Sequence, residues 1–391
     1  MSRTLAGNVS RRRLLQAGAS LLAVSVVAGC SPKEGGDAMG VDALQGVTVD
    51  PTSENVRFIG RTFEGAGATW LPQSGSGVEF EATGTIVVLE VVGDDNVHNV
   101  LDLCPRFAVL VDGAVVVDDT LHEPSRLVGV PLDESASGAV VELIHLSEAK
   151  RGMVGIRSIT VKSEAARPVA PTKAKRLHIG FVGDSITCGY GVEAANTDEP
   201  FKTKTENFMK SYAYLTAQEL GADYDTVCYS GYGVISGWSN DGERQTDTLV
   251  PPVYQLVMEG REQVWDFAAH RSDVVVINLG TNDRSYTGTD EARLDEFSQG
   301  YAAFLDQVRA LNPDSLIVCT MGTMGGEELF PAIERAVHDH AERTGNARVL
   351  CYLSEPMNVE TDGCGANGHP TAVTQRKIAQ TLVGVIRQAL G

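Results

Sequence analysis

The chain has 391 residues, which suffices for two or three domains, since one hydrophobic core usually stops growing at about 250 to 300 residues. Hydrophobic residues make up 43% and charged residues 21%, which excludes a mainly disordered protein. The 51 acidic residues outnumber the 32 lysines and arginines, so the formal net charge of −19 opposes binding to nucleic acids or anionic lipid head groups. We therefore expect two domains, no nucleic-acid partner and a neutral substrate.

The N-terminus has the pattern of an export signal. Three arginines in SRRRLLQAG precede an apolar run over residues 14–28. Their order resembles a twin-arginine signal, and VAGC at 27–30 resembles the lipobox of bacterial lipoproteins, with Cys30 as the lipidated residue. We expect a signal peptide at 1–29 and a polar tether at 30–46. The mature protein, with a net charge of about −23, would then be a lipoprotein on the extracellular face of the membrane, held by its lipid alone. An uncleaved short anchor is the alternative.

Residues 47–163 are predicted to form a small all-β sandwich of the jelly-roll type. Short segments rich in valine and isoleucine, such as GTIVVLEVVG and RFAVLVDGAVVVDDT, alternate with turns and show no long helical period. The following segment, 164–176, contains two prolines, small residues and basic residues without an apolar period, and it is predicted to be a linker. We expect the sandwich to be a structural brace, because no aromatic cluster stands out in it.

Residues 177–391 are predicted to form an α/β domain. Apolar strands in LHIGFVG, YDTVCYS, DVVVINL, SLIVCTM and VLCYLS alternate with helical patterns, including SYAYLTAQELGA, REQVWDFAAHR, DEFSQGYAAFLDQVRALNP and FPAIERAVHDHAERTG. Continuous apolar strands between amphipathic helices indicate a parallel sheet covered on both faces. In such folds the binding site lies at the carboxyl ends of the strands.

Those strand ends carry residues suited to nucleophilic catalysis. Ser185 follows the first strand in GDS, and a serine hydroxyl needs a base, most often histidine. Of eight histidines, only His369 lies in a strand-end loop of this domain. The Ser185 amide, the Gly231 amide and the Asn282 side chain could bind a developing oxyanion, with Gly233 as the substitute for Gly231. The alternatives are a capped turn at GDS and an Asx turn at Asn282.

These motifs, in order, resemble the blocks of the SGNH (GDSL-type) hydrolases. The longer segments GDSITCGYGVEA, YSGYGV, VVVINLGTND and GCGANGHPT resemble carbohydrate esterase family two, the acetyl xylan esterases, over about residues 45–391. The resemblance implies a three-layer α/β fold and a serine esterase that deacetylates xylan or glucomannan. It also implies attack by Ser185 with His369 as base, and neither a metal nor an organic cofactor.

One position departs from the SGNH pattern. Many members have an aspartate three residues before the histidine, where this chain has Ala366. We expect a Ser185–His369 dyad in which a backbone carbonyl or Asn367 orients the histidine. The alternative is that Asp362, seven residues before the histidine, orients it. The loss of a carboxylate from a complete triad can cost about four orders of magnitude.

Other residues near the motifs have more than one interpretation. Cys188 and Cys364 flank the serine and the histidine, and they are either a disulfide or two unrelated thiols. Tyr190, Tyr232 and Trp238 are candidate sugar contacts, whereas Trp265, in a predicted helix, is expected to be core.

Two alternative functions remain at this stage. One is an SGNH esterase acting on another surface glycan, peptidoglycan or a lipid ester. The other is a glycan-binding lipoprotein without catalysis. The sequence predicts no oligomeric state.

Overall fold

The computed structural model describes residues 24–26, 46–133, 138–163, 165 and 167–391. Cys30, the cleavage site and the tether up to residue 45 lie outside the described residues. Of the expected signal peptide, only the backbone of strand β1 (Val24–Val26) is described, and it pairs parallel to an edge of the first sheet. Among the described helices, none combines the length and the apolar character needed to cross a membrane.

The N-terminal domain is a sandwich of two sheets. Its further strands are β2 (Val47–Val49), β3 (Arg57–Ile59), β4 (Phe63–Gly65), β5 (Ala68–Leu71), β6 (Gly77–Ala82), β7 (Ile86–Gly93), β8 (Arg106–Val111), β9 (Ala114–Thr120), β10 (Ser125–Pro131), β11 (Ala139–His145), β12 (Val154–Lys162) and β13 (Val169–Pro171). One sheet has the order β1-β10-β7-β12-β5-β4, with β2 on β12, and the other has the order β13-β6-β11-β8-β9, with β3 on β6. Apart from β1 the pairings are antiparallel. Alternate valines, leucines and phenylalanines of both sheets form one buried core.

The segment predicted as a linker belongs partly to the sandwich. Strand β13 pairs antiparallel with β6 at the edge of the second sheet. Pro171 is tolerated there because an edge strand needs only half of its backbone groups for the ladder.

The second domain has the predicted parallel sheet between helical layers. Strands β14 (Leu177–Gly183), β15 (Ala222–Cys228), β16 (Val274–Asn278), β17 (Leu316–Met321) and β18 (Val349–Leu353) are ordered β15-β14-β16-β17-β18. The helices are α1 (Ser185–Cys188), α2 (Tyr212–Leu220), α3 (Val250–Tyr254), α4 (Arg284–Thr287), α5 (Glu291–Leu311), α6 (Phe330–Thr344), α7 (Val359–Asp362) and α8 (Ala372–Leu390). Helices α2 and α8 bury apolar residues against one face, and α5 and α6 against the other. The predicted fold class is confirmed.

The prediction of a helix in REQVWDFAAHR, residues 261–271, is wrong. This segment instead lies against the chain after α3, where Trp265 N donates to the Gln255 carbonyl at 2.8 Å and Val257 N donates to the Gln263 carbonyl at 2.9 Å. A helix of about eleven residues is marginal without tertiary support. Here tertiary contacts favour the extended path, because Trp265 is buried, 7% exposed, as expected for core, with the Arg61 guanidinium 5.7 Å from its ring.

Arginines of the sandwich join the two domains. Arg57 contacts Asp223 at 2.5 Å, and Arg106 contacts Glu193 at 2.6 Å. Arg61 is fully buried and donates to two backbone carbonyls of the second domain at 2.6 and 2.5 Å. Because a buried guanidinium is costly without partners, these contacts require the domains to stay packed together.

Candidate active site

Ser185 lies at the turn between a strand and a helix. Strand β14 ends at Gly183, and Asp184 caps helix α1 by accepting a bond from Ile186 N at 3.0 Å. Ser185, the first residue of α1, is 7% exposed and lines a cavity at the carboxyl ends of the strands. The capped turn and the presented hydroxyl are therefore both present, with Asp184 rather than Ser185 as the cap.

His369 is placed to accept the serine proton. Its Nε2 lies 2.8 Å from Ser185 Oγ, and its Nδ1 lies 3.0 Å from the Ala366 carbonyl oxygen. A carbonyl can only accept, so Nδ1 carries the hydrogen and Nε2 is the free acceptor. The backbone carbonyl predicted as one orienting group does orient the ring, and it belongs to the residue that stands in place of the usual aspartate.

The two side chains considered for that role do not perform it. Asp362 is the last residue of α7, and its carboxylate faces α8, where it forms an ion pair with Lys377 at 2.7 Å. This ion pair lowers the pKa of Asp362. Asn367 donates its amide to the Tyr190 hydroxyl at 2.8 Å. Neither side chain is hydrogen-bonded to His369 among the described residues.

Burial sets the protonation of His369. Loss of solvation lowers its pKa to about 4, and hydrogen bonds to the Ala366 and Asn367 carbonyls oppose this shift without reversing it. At neutral pH the imidazole is uncharged and therefore competent as a general base.

The predicted oxyanion donors line the same cavity. Gly231 follows β15 with a φ of 85°, a left-handed conformation that favours glycine. Within the described residues, the Ser185 and Gly231 amides donate to no protein acceptor. The substitute donor, Gly233 N, is bonded to the Thr248 carbonyl at 3.2 Å, which excludes it. Asn282 Nδ2 donates to Asp184 Oδ2 at 3.2 Å and to the Tyr232 carbonyl at 2.8 Å, so both of its hydrogens have acceptors. A substrate oxygen would have to share one of these hydrogens, most easily the one on the longer bond to Asp184.

Buried carboxylates fix these loops. Asp283 accepts bonds from the amides of Val234, Ile235 and Ser236 at 2.7 to 3.0 Å, so the loop that carries Gly231 is anchored to the loop that carries Asn282. Burial raises the pKa of Asp283 to about 6 and that of Asp184 to about 7. The amide bonds oppose both shifts.

The serine and histidine loops meet at a close backbone contact. A Cβ on Gly191, at a φ of 56°, would lie 2.5 Å from the Ala366 Cβ. Gly191 therefore allows the approach that brings Ala366 and His369 to Ser185. Of the two interpretations of Cys188 and Cys364, the disulfide is wrong, since both are free thiols. Cys188 is buried at the end of α1, whereas Cys364 lies on the half-exposed loop before His369.

The cavity has a volume of about 790 Å³ and includes two of the three predicted sugar contacts. Tyr190 packs on His369 with ring centroids 4.2 Å apart, and Trp238 is 60% exposed at the rim. The prediction that Tyr232 contacts the sugar is wrong, because its side chain is buried, 3% exposed, and its hydroxyl donates to Glu259 at 2.5 Å.

Several cavity residues were not predicted from the sequence. They include Lys150 and Arg151, which come from the sandwich loop between β11 and β12, and Arg284 from the second domain. The sandwich is thus more than a brace, since its loop forms part of the cavity wall. The only sequence signal was the polar run SEAKRG between two predicted strands.

The same sandwich loop supports the site from behind. Glu148 accepts a bond from Ser230 N at 2.8 Å, and Glu148 N donates to Glu206 Oε2 at 3.0 Å. Carboxylate oxygens of Glu148 and Glu206 and the Cys188 sulfur lie within 4.8 Å of one another, a set that could hold a cation. Burial raises the pKa of both Glu206 and Cys188 well above their ordinary values, so the groups themselves favour protons over a metal.

A neutral histidine bonded to a serine, beside free backbone amides at the carboxyl ends of a parallel sheet, defines a serine hydrolase. The chain belongs to the GDSL-like lipase/acylhydrolase family, whose model matches residues 181–377.

Two relatives carry names that concern carbohydrate. A cellulase/esterase, CelE, from Acetivibrio thermocellus is 28% identical over 322 residues, which cover 81% of this chain and 37% of that protein. An acetylxylan esterase/glucomannan deacetylase from Cellvibrio japonicus is 28% identical over 252 residues, which cover 64% of this chain and 67% of that protein. The chain thus spans little more than a third of the first relative and about two thirds of the second.

Solved structures share the two-domain fold. A family two carbohydrate esterase from Clostridium thermocellum, in complex with cellohexaose, has a TM-score of 0.74 at 26% identity and covers 86% of this chain and 99% of its own. An acetyl xylan esterase from the rumen bacterium Butyrivibrio proteoclasticus has a TM-score of 0.77 at 21% identity, with coverages of 88% and 99%, which supports the fold alone. The predicted resemblance to family two carbohydrate esterases is confirmed.

Proposed function

We propose that this protein is a carbohydrate O-deacetylase that releases acetate from acetylated polysaccharides or oligosaccharides of the xylan or glucomannan type. The observation that carries the proposal is the 2.8 Å contact between Ser185 Oγ and His369 Nε2 inside a cavity that also contains the Gly231 and Asn282 donors. The names of the two relatives and the cellohexaose-bound neighbour support a carbohydrate substrate.

The geometry supports acyl transfer in two stages. Ser185 Oγ attacks the acetyl carbonyl carbon while His369 Nε2 takes the hydroxyl proton, and the Ala366 carbonyl holds the ring in position. The developing oxyanion accepts bonds from the Ser185 and Gly231 amides and from Asn282. His369 then protonates the departing sugar oxygen. Water, deprotonated by the same nitrogen, hydrolyses the acetyl-enzyme and restores Ser185.

The cavity shape suits a small acyl group on a large leaving group. Tyr190 packs on the His369 ring and on Phe201, with centroids 4.2 Å apart in each pair, so it forms a rigid aromatic wall beside the nucleophile. Trp238 at the rim presents an apolar face to the solvent, as sugar-binding aromatics do. The residues that line the cavity include three cations, Lys150, Arg151 and Arg284, and Met324 is the one aliphatic side chain among them, which favours a glycan over the long acyl chain of a lipid ester.

Acetate release tests the proposal. We expect the protein to release acetate from acetylated xylan and glucomannan, and Ser185→Ala and His369→Gln to lose at least about 10³-fold in kcat. Ser298→Ala is a matched control, because Ser298 bonds to the Ala332 carbonyl on the other side of the sheet. Release of fatty acid but not acetate would instead indicate a lipid esterase. Glycan binding without release from any substrate would indicate a binding protein.

We also propose that the protein is exported and anchored as a lipoprotein through Cys30. The arginines before the apolar run and the VAGC motif support this proposal. Metabolic labelling with a fatty-acid analogue in a bacterial host would label the protein, and Cys30→Ser would abolish the label. A labelled Cys30→Ser protein, or an unlabelled original, would contradict the anchor.

A further inference from the structure

The charge of the cavity is opposite to that of the protein. The chain carries a formal net charge of −19. The cavity is nevertheless lined by Lys150, Arg151 and Arg284, and none of its lining residues is an aspartate or a glutamate. A cationic concavity in an acidic protein focuses a local field that attracts anions. The overall charge, which predicted a neutral substrate, therefore does not describe the site.

The three cations differ in how far they are already neutralised. Arg284 Nε is paired with Glu328 at 2.6 Å, and Arg151 Nε lies 3.5 Å from Glu148 Oε1. Lys150 is exposed, and in the described part of the chain it has no carboxylate within 4.0 Å. Its ammonium donates to the Ser230 carbonyl at 3.2 Å. Lys150 is thus the uncompensated charge of the cavity.

The Lys150 ammonium lies next to the loop that carries the oxyanion donor Gly231. Ser230, whose carbonyl holds the ammonium, directly precedes Gly231, and the ammonium lies 4.9 Å from the centroid of the Tyr232 ring. The cation is therefore anchored on the loop that supplies an oxyanion donor. A sugar whose acetyl group reaches Ser185 would place its own or its neighbour's substituents near Lys150.

We propose that the preferred substrate is an acidic glycan, in which Lys150, assisted by Arg151, binds the carboxylate of a hexuronate at or next to the acetylated sugar. This inference rests on the proposed deacetylase function and specifies the charge that its substrate carries. The carboxylate could come from a uronate branch on a neutral main chain or from a uronate in the main chain itself. The chemistry of recognition is the same in both cases.

Binding tests the inference independently of turnover. Calorimetry on the Ser185→Ala protein would compare two pairs of acetylated oligosaccharides. One pair is a xylo-oligosaccharide with and without a glucuronate branch, and the other is an oligogalacturonide and its methyl ester. We expect the acid member of at least one pair to bind about fivefold more tightly at low salt, the range of a partly exposed ion pair. The pair that responds identifies the position of the uronate.

Lys150→Gln and the matched control Lys173→Gln would be made in the same background. Lys173 is exposed and does not line the cavity. We expect Lys150→Gln to reduce the preference to about one, Lys173→Gln to keep it, and 0.5 M salt to weaken it in the original protein, because salt screens exposed charges. Equal affinity for both members of both pairs, or a preference unchanged in Lys150→Gln, would overturn the inference. If the binding test fails but the active protein releases acetate, the proposed deacetylase function still holds. If the active protein releases no acetate, the deacetylase function is contradicted, while the binding comparison remains valid.

Discussion

The pH dependence of His369 is the most direct test of a dyad without a carboxylate. Burial lowers the pKa of this imidazole to about 4, and its Nδ1 partner is an uncharged carbonyl. The base is active when neutral, so activity is lost as the pH falls through the pKa of His369. We expect kcat/KM on a neutral acetylated oligosaccharide to lose its histidine-dependent activity only near pH 4.

The size of the effect follows from the two pKa values. At pH 5, about nine tenths of an imidazole with a pKa of 4 is neutral, against about 3% for an ordinary histidine with a pKa of 6.5, a difference of about 30-fold in competent base. A carboxylate against the ring would raise the pKa still further. Retention of most activity at pH 5 would therefore separate the observed geometry from a complete triad.

Titration of the imidazole itself removes the contribution of other groups. Asp184 and Asp283, with pKa values of about 7 and 6, titrate at higher pH than His369 and would add their own steps to the rate profile. Histidine-labelled protein would be titrated by NMR, and the His369 signals would be assigned by their absence in His369→Gln. A midpoint at or above 6.5 would refute the reasoning, because neither burial nor the carbonyl partner would then determine the protonation of the base.

Three other substitutions test the groups around the dyad. Asp362→Asn should keep kcat/KM within about twofold, because Asp362 pairs with Lys377, and a loss of several orders of magnitude in steady-state assays would restore it as a third member. Asp283→Ala should cost about 3 kcal/mol or more in urea unfolding, since three buried amides lose their acceptor, whereas exposed Asp241→Ala should cost far less. Glu206→Gln should remove a pH dependence of stability, because burial raises the pKa of the Glu206 carboxyl well above its ordinary value. The native protein binds the proton that the unfolded chain releases above about pH 4.5, so the original should lose stability relative to Glu206→Gln as pH rises, and parallel thermal melts would contradict this.

The sequence was sufficient for the residues whose place depends on the sheet alone. Ser185, Asn282 and His369 all follow parallel strands or precede the last helix, and in this architecture such positions converge at one edge. A backbone carbonyl, without its residue, could be predicted as one orienting group because the usual aspartate was missing. Its choice over Asp362 depended on the turn at Gly363, which is not visible as a periodic pattern.

The residues that sequence reasoning missed or misplaced depend on how the two domains pack. Lys150 and Arg151 reach the cavity only because the sandwich is docked on the second domain, and no local pattern reports that contact. The segment around Trp265 has an amphipathic period, yet burial beside Arg61 of the other domain outweighs its helical propensity. Tyr232 was correctly placed on the Gly231 loop, but the direction of its side chain is set by Glu259.

Because of the sandwich loop from Glu148 to Arg151, the catalytic residues and part of the cavity wall belong to different domains. The nucleophile and base are encoded after residue 177, whereas part of the wall that meets the sugar is encoded about 35 residues before Ser185, in another fold. Substitution of Lys150 or Arg151 in that loop would change the cavity wall without removing an acyl-transfer residue, whereas substitution of Glu148 would also remove the acceptor of Ser230 N, next to Gly231. Recombination that transferred the second domain alone would therefore carry over the acyl-transfer residues but not the part of the cavity wall that the sandwich supplies.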